Sequence, residues 1–326
     1  MKKIQWGIIG CGDVTEVKSG PAFNKVSNSI LVAVMRRDAA KAADYARRHG
    51  VPKWYDDAQK LIEDPEVNAI YVATPPQSHE DYTLRALRAG KPVYVEKPMS
   101  TDGAAARRML LAAVETGLPL SVAHYRKEQP RFKKIKSLLD AGTIGKVRMI
   151  NLQLVQSQQL PLISKTGGFW RVDPSVSGGG LFHDLSPHQL DLMQYFFGAI
   201  ENARGYSRNQ AGLYPADDLV MGTILFKNGA VFNGSWCFAG AENEDRDSVV
   251  ITGSEGSIHF NTFSTNQVTL SKKGVEAVLI FDELPHVQQP MIDAVVKYFL
   301  GDGPNPSTAE SAVVTMETMD AFTKKD

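Results

Sequence analysis

Apolar positions in the first third of the chain fall in short, nearly unbroken runs: "IQWGIIG" (4–10), "ILVAVM" (30–35), "AIYVA" (69–73), "PVYVE" (92–96) and "PLSVA" (119–123). Runs of this length without polar alternation predict parallel strands covered on both faces. Between them lie stretches of helical character: "DAAKAADYARRHG" (38–50), "SHEDYTLRALRAG" (78–90) and "TDGAAARRMLLAAVETG" (101–117). Each opens with an N-cap residue at its start and closes on glycine. Strand and helix alternating in this way predict a doubly wound α/β sheet. Past residue 124 the pattern changes. "VRMINLQLVQ" (147–156), "LVMGTILF" (219–226), "AVFNGSWCF" (230–238), "SVVITG" (248–253), "SIHF" (257–260), "QVTLS" (267–271) and "EAVLIF" (276–281) read as strands joined by short turns. "KNG" (227–229) and "GSEGS" (253–257) suit hairpins. Helices are expected near 130–141, 186–197, 288–300 and 308–323. The expectation is a first domain over 1–124 and an α+β domain with an open, mostly antiparallel sheet over 125–326.

Composition changes this picture little. The chain has 326 residues, 43% hydrophobic and 22% charged, with 36 basic and 36 acidic residues. Two domains suit that length. The balanced charge argues against nucleic acid or a membrane surface as main partner. Cys11 and Cys237 have no metal-ligand spacing, which suggests a reduced, intracellular chain. The start "MKKIQWGIIGCGD" is broken by Gln5, glycines and Asp13 too early for a signal peptide, and no run reaches membrane-spanning length. A cytoplasmic protein is expected.

The first loop carries chemistry. "GIIGCGDVT" (7–15) leaves the first strand and opens a helix, with Gly10 and Gly12 forming the G-x-G of a dinucleotide turn. Gly10 permits the bend, and Gly12 lets backbone approach a pyrophosphate. Thr15 stands at the third small-residue position, which puts close packing there in question. This is the position of a Rossmann nucleotide loop, although a plain βα turn would look similar. At the end of the second strand, "VAVMRRD" places Arg36 and Arg37 where an NAD enzyme usually has an acid. Forked guanidinium donors match a 2′-phosphate, so NADP is favoured over NAD. Alternatively both arginines are solvated; Asp38 is read as a helix cap in either case.

"YVEKPMS" (94–100) sets a carboxylate and an amine at the end of an apolar strand. Ligands of open parallel sheets bind outside the carboxyl ends of the strands, so Lys97 is a candidate beside a nicotinamide. There a positive ring and partial desolvation would lower its pKa. The alternative is a surface lysine paired with Glu96. In the second domain, "SGGGLFHDLSPHQLDLMQYFFG" (177–198) offers Asp184, His188 and Asp191. If the segment is helical throughout, these share a face. If Ser186 caps and Pro187 starts the helix, Asp184 lies in the preceding turn. An imidazole oriented by a carboxylate suits proton transfer near neutral pH. A buried structural Asp184–His188 pair, or a metal site with His183, are the alternatives; no cysteine or further histidine supports metal, and none is expected.

Together, "GIIGCGDV", "ATPPQSH" (73–79), "VYVEKPMS" and "SGGGLFHDLSPHQLD" resemble the Gfo/Idh/MocA family of NAD(P)-dependent oxidoreductases over nearly the whole chain. The resemblance implies catalysis by Lys97, Asp184 and His188, with Asp191 accepting a substrate hydroxyl. It implies cofactor contacts from Gly10, Gly12, Asp13, Val14, Arg36, Arg37, Thr74, Pro75, His79, Glu96, Lys97 and Arg171. "AHYRKEQP" (123–130) and "FWRVDPSVSGGG" (169–180) also match family segments, which would set Tyr125 and Trp170 against the substrate. Ser186 stands where the family often has glycine. The expected activity is hydride transfer at a secondary alcohol or ketone of a sugar, sugar derivative or cyclitol, in a cleft between the domains. A homodimer or homotetramer covering the open sheet is expected. The rival readings are a non-catalytic NADP-binding sensor or regulatory protein, and a dehydrogenase of a non-sugar diol.

Overall fold

Six parallel strands form the first sheet, in the order β3-β2-β1-β4-β5-β6. The computed structural model that shows this describes residues 2–157 and 168–324. The strands are β1 (Ile4–Ile9), β2 (Ser29–Met35), β3 (Lys53–Tyr55), β4 (Ala69–Val72), β5 (Val93–Val95) and β6 (Leu120–Val122). Helices α1 (Asp13–Val17), α2 (Ala39–His49), α3 (Ala58–Glu63), α4 (His79–Arg88) and α5 (Gly103–Thr116) make the crossovers. Every residue of β4, β5 and β6 is buried, as covering on both faces demands. The strand order reverses between β1 and β4, so the loops after those strands diverge and leave a crevice at their carboxyl ends. Strand β3 and helix α3 are additions to the sequence expectation; three residues with one buried side at most carry no apolar run to detect.

The compact units differ from the expected boundary. The first consists of the chain up to Arg126 together with Leu284–Met316, and the second of Lys127–Glu283 with the chain from Glu317 on. The returning segment has a physical reason. The crossover after β1 is only the five-residue α1 and a 3-10 turn, Gly20–Asn24, too little to cover that side of the sheet. After α6 (Pro130–Asp140), α7 (Pro174–Ser177) and α8 (Leu181–Phe197) of the second unit, helix α9 spans Gln289–Leu300. Its apolar face of Met291, Ile292, Val295, Val296 and Phe299 joins the core of Trp6, Phe23, Tyr71 and Tyr94. Trp6 lies 5.5 Å from Phe299 and 4.9 Å from Phe23, ring centre to ring centre. Beside β6, Val122 N–H donates to Ser307 O at 3.0 Å, so the returning chain also covers that edge.

The second unit holds an eight-stranded sheet, β14-β13-β12-β11-β7-β10-β9-β8. Its strands are β7 (Val147–Ser157), β8 (Ile200–Arg208), β9 (Leu219–Phe226), β10 (Val231–Gly240), β11 (Arg246–Gly253), β12 (Gly256–Phe260), β13 (Gln267–Lys272) and β14 (Val275–Ile280). All neighbours are antiparallel except β7 and β10, which run parallel. Strand β8 escaped the sequence pattern because "IENARGYSR" is a polar edge strand. Burial alternates along β9 and β10, so one sheet face is packed. Trp236 meets Phe182 of α8 at 5.1 Å, and Phe260 meets Phe132 of α6 at 5.9 Å, both edge-on. Asn151, Gln153 and Met221 lie on the opposite, exposed face.

The last helix, α10 (Ala309–Thr323), ends with Phe322 fully buried over two glycines of adjacent strands. A Cβ on Gly222 would stand 2.2 Å from the Phe322 ring, and one on Gly205 2.6 Å from Phe322 Cα. A rigid, fully buried ring has little room to yield. Gly222→Ala should therefore destabilise the protein by about 1–3 kcal/mol, read as a lower urea midpoint; an unchanged midpoint would mean that Phe322 repacks freely.

Candidate active site

The first set of residues lies at the carboxyl edge of the parallel sheet. Gly10 adopts φ +94°, in the left-handed region, and a Cβ there would stand 2.8 Å from Thr74 N. Both the bend and the contact require glycine. Gly12 is the N-cap of α1 and no side chain caps that helix; a Cβ on Gly12 would meet only Gly10 O, at 3.9 Å. Open space above the turn and amides not spent on a cap fit a dinucleotide pyrophosphate. Thr15 is fully buried, with Oγ1 donating to Gly12 O at 2.7 Å and its carbonyl accepting from Tyr45 Oη at 2.8 Å. The close approach lies one turn on, where a Cβ on Gly20 would be 2.2 Å from Thr15 O. Asp13 is exposed and Val14 half-buried at the start of α1. Burial pushes the Cys11 thiol in this turn up to about 11, which leaves it unreactive.

Asp38 caps α2, accepting from Lys41 N at 3.1 Å, so its carboxylate serves the helix. Arg36 is half-buried and reaches back over the glycine turn, its Nη1 3.4 Å from Cys11 O, while Arg37 is exposed. The loop after β4 begins with half-buried Thr74 and Pro75. His79, expected to face a ribose, is turned inward and 1% exposed. Its Nδ1 lies 2.9 Å from Pro98 O and its Nε2 2.7 Å from Thr74 O. The ring thus braces the loops after β4 and β5 against each other, and burial lowers its pKa.

Glu96 ends the apolar strand of "YVEKPMS" as a buried acceptor. It is 5% exposed, and its Oε1 accepts from Tyr71 Oη and, at 2.6 Å, from Gln288 Nε2. Its Oε2 accepts from the Lys97 amide at 3.1 Å. Gln288 in turn accepts from Tyr94 Oη at 3.1 Å. Burial, with the Glu96 charge second, holds both tyrosine hydroxyls well above their usual range, so they remain donors. Glu96, expected from the family resemblance to meet the cofactor, turns its oxygens inward and holds the backbone of Lys97. Lys97 itself is half-buried and followed by a cis bond to Pro98. Tyr125, expected against substrate, is 5% exposed and sits in the core of this unit.

The second set lies on α8. The helix runs unbroken from Leu181 through Pro187, so of the two openings left by the sequence the longer one holds. Ser-Pro usually marks a helix start, which is why the pattern pointed to 186. Here the start is made by glycines instead. Gly178 and Gly180 have φ of 90° and 80°, and a Cβ on Gly179 would be 2.2 Å from the His183 ring. Asp184, His188 and Asp191 consequently share one face. Asp184 Oδ2 pairs with Arg171 Nε at 3.3 Å, and the Arg171 guanidinium lies 4.5 Å over the Trp170 ring. Arg171 therefore orients a carboxylate of this set, a role the sequence did not suggest. Asp191 is 2% exposed and receives Lys127 Nζ at 2.7 Å. His188 is 4% exposed, with the Phe263 ring 5.9 Å away. His183 is buried elsewhere on the helix, and burial draws its pKa down to about 4. Among the described residues no three His, Cys, Asp or Glu side chains are arranged to hold a metal ion.

Lys127, Tyr71 and Gln288 were missed by the sequence reading. Lys127 lies inside "AHYRKEQP" but follows no spacing rule, and Gln288 carries no local signal at all. Glu96→Ala would strand the Gln288 amide inside the core and leave the Tyr71 hydroxyl only Ser19 Oγ, at 3.2 Å, as acceptor. It should cost about 1–3 kcal/mol for the stranded groups, measured as a lower unfolding midpoint in urea; an unaltered midpoint would show that the carboxylate is not needed there.

Residues 4–124 match the family model described as "Oxidoreductase family, NAD-binding Rossmann fold", and residues 132–259 match "GFO/IDH/MocA C-terminal domain". The chain is 47% identical over 320 residues to "Oxidoreductase P35" of Formosa agariphila, covering 98% of each. It is 27% identical to "1,5-anhydro-D-fructose reductase" of Ensifer adhaerens, covering 96% of this chain and 93% of that one. The solved structure of a levoglucosan dehydrogenase in complex with NADH and levoglucosan has the same fold, with a TM-score of 0.87 at 20% identity over 98% of this chain and 96% of that one. No helix among the described residues is long and apolar enough to cross a membrane. On the family models and the relative nearly half identical over almost its whole length, the chain belongs to the Gfo/Idh/MocA family of oxidoreductases, with an NAD-binding Rossmann domain.

Proposed function

We propose that the chain catalyses reversible hydride transfer between a nicotinamide cofactor and a secondary alcohol or ketone of a sugar, sugar derivative or cyclitol. The observation that carries this reading is the pair Asp184 and His188 on one face of α8, held by Arg171 from the carboxylate side. An imidazole suits removal of a hydroxyl proton as hydride leaves the same carbon, and a carboxylate nearby stabilises the cation formed. His188 acts as the acid/base and Asp184 orients it. Lys97, its backbone pinned by Glu96, holds the substrate oxygen by a charge-assisted hydrogen bond and stabilises charge that grows there. Asp191 and its Lys127 partner offer a further polar contact for substrate hydroxyls. When bound, the nicotinamide cofactor accepts or returns the hydride. The reductase of Ensifer adhaerens, named for an anhydro-sugar ketone, supports a sugar-like substrate.

NADP is the proposed partner of the glycine turn. Arg36 lies over that turn, Arg37 follows it, and the next residue's carboxylate is occupied in capping α2. Guanidinium groups there suit a 2′-phosphate better than two ribose hydroxyls.

A panel of levoglucosan, myo- and scyllo-inositol, 1,5-anhydro-D-fructose and common aldoses, with oxidised or reduced NADP and NAD, tests the reaction by absorbance of the reduced ring. Turnover of at least one is expected. Silence across the panel, with cofactor still bound, would favour a sensor on this fold. Lys97→Ala should lower kcat/KM by about 10²–10⁴-fold, the usual worth of a positioned acid/base or oxyanion partner, and retain cofactor binding. Arg36→Asp should move preference from NADP toward NAD; unchanged preference would discard the phosphate reading.

A further inference from the structure

The turn from Asn261 to Thr265, which links β12 to β13, is clamped through both its amides and its carbonyls. Asp247 on β11 accepts from Thr262 N at 2.9 Å on Oδ1, and from Phe263 N at 2.6 Å and Ser264 N at 2.9 Å on Oδ2. Arg131 on α6, 4% exposed, donates from Nη2 to Thr262 O at 2.8 Å. Its Nη1 reaches Asn261 O at 3.3 Å and also Thr265 O. Thr265 Oγ1 closes the turn on Asn261 Oδ1 at 2.7 Å. A turn between antiparallel strands can leave these groups to water, so burying a guanidinium to hold it needs another reason. The turn carries one aromatic side chain, and that ring meets His188: the centroids are 5.9 Å apart and the planes 71° apart.

We propose that Phe263 is a positioning residue for His188, and that the Asp247–Arg131 clamp exists to hold its ring in place. The inference rests on the acid/base role given to His188 above and adds what keeps that ring in register. The last torsion of a histidine side chain is broad and nearly two-fold, and a half-turn exchanges the two ring nitrogens' places. Only one of the two orientations presents the correct nitrogen to a substrate hydroxyl. An edge-to-face aromatic contact depends on the ring's quadrupole and so distinguishes the orientations in a way an aliphatic wall does not.

Labelling the histidine ring C2 carbon with 13C yields one resonance for each of the 7 histidines, and His188→Asn identifies the signal of His188. In the wild-type protein without ligand this signal should be single and narrow. Phe263→Leu, which keeps an apolar side chain but removes the ring, should split or broaden it. The same variant should lower kcat for the fastest polyol of the panel by about 10²-fold, the cost of a catalytic group displaced by an ångström, with KM little changed. Phe263→Tyr should restore both. A His188 signal as single and narrow in Phe263→Leu as in wild type would overturn the inference, as would a broadened signal with unaltered kcat. Should Phe263→Leu fail to fold, Phe263→Met gives the same reading. Wild-type turnover by His188→Asn would instead remove the acid/base role itself, a result the Phe263 variants do not produce.

Discussion

A carboxylate taken out of water at the end of a strand is tenable only if hydrogen-bond donors replace the water it loses, and the first unit is organised around meeting that demand for Glu96. Its donors come from β4 (Tyr71), from the next residue's backbone (Lys97) and from a residue 192 positions away (Gln288). Because one acceptor joins all three, the position of the Lys97 backbone is tied to the neighbouring strand and to the start of α9. The tyrosines contribute doubly: their rings stack at 5.1 Å in the core and their hydroxyls stay protonated as donors. Strand-end side chains built on a rigid frame of this kind hold their geometry better than side chains on free loops.

The same rule governs α8. Asp191 and Lys127 are both nearly excluded from solvent and paired at 2.7 Å, while the more open Asp184 has a looser partner in Arg171 at 3.3 Å. Losing either member of the buried pair would leave an isolated charge inside, which is far costlier than losing an exposed one. Along this helix face the ion pairs thus run from closed at Asp191 to more open at Asp184, the carboxylate that the proposed function sets beside His188. Glycines 178–180 make this possible by letting the chain turn sharply into a helix whose first residues pack against neighbours with no room for a Cβ.

Much of this architecture was legible from residue pattern. Unbroken apolar runs separated by capped helices give a parallel sheet because both faces must be covered, and alternation after residue 124 gives a sheet with one packed face. The lysine, the imidazole and the two carboxylates were visible as chemistry at strand and helix positions. Less legible were elements whose identity depends on neighbours: β8, polar because it is an edge, and α8 through Pro187, where a Ser-Pro start signal is overridden by packing of the preceding turn.

The sequence by itself determined the class of each domain, the glycine turn at the end of β1 and the residue types available for hydride chemistry, since these follow from local periodicity and steric needs. Only the tertiary structure decided which polar groups look outward and which are consumed in holding the frame. Glu96, His79 and Tyr125 resemble cofactor or substrate contacts in one dimension, yet each is buried and engaged within its own unit. Lys127, Gln288 and Phe263 carry no local mark, yet they hold the residues on which the proposed chemistry depends. Burial and hydrogen-bond partnership are properties of segments brought together from far apart, and no single stretch of chain encodes them.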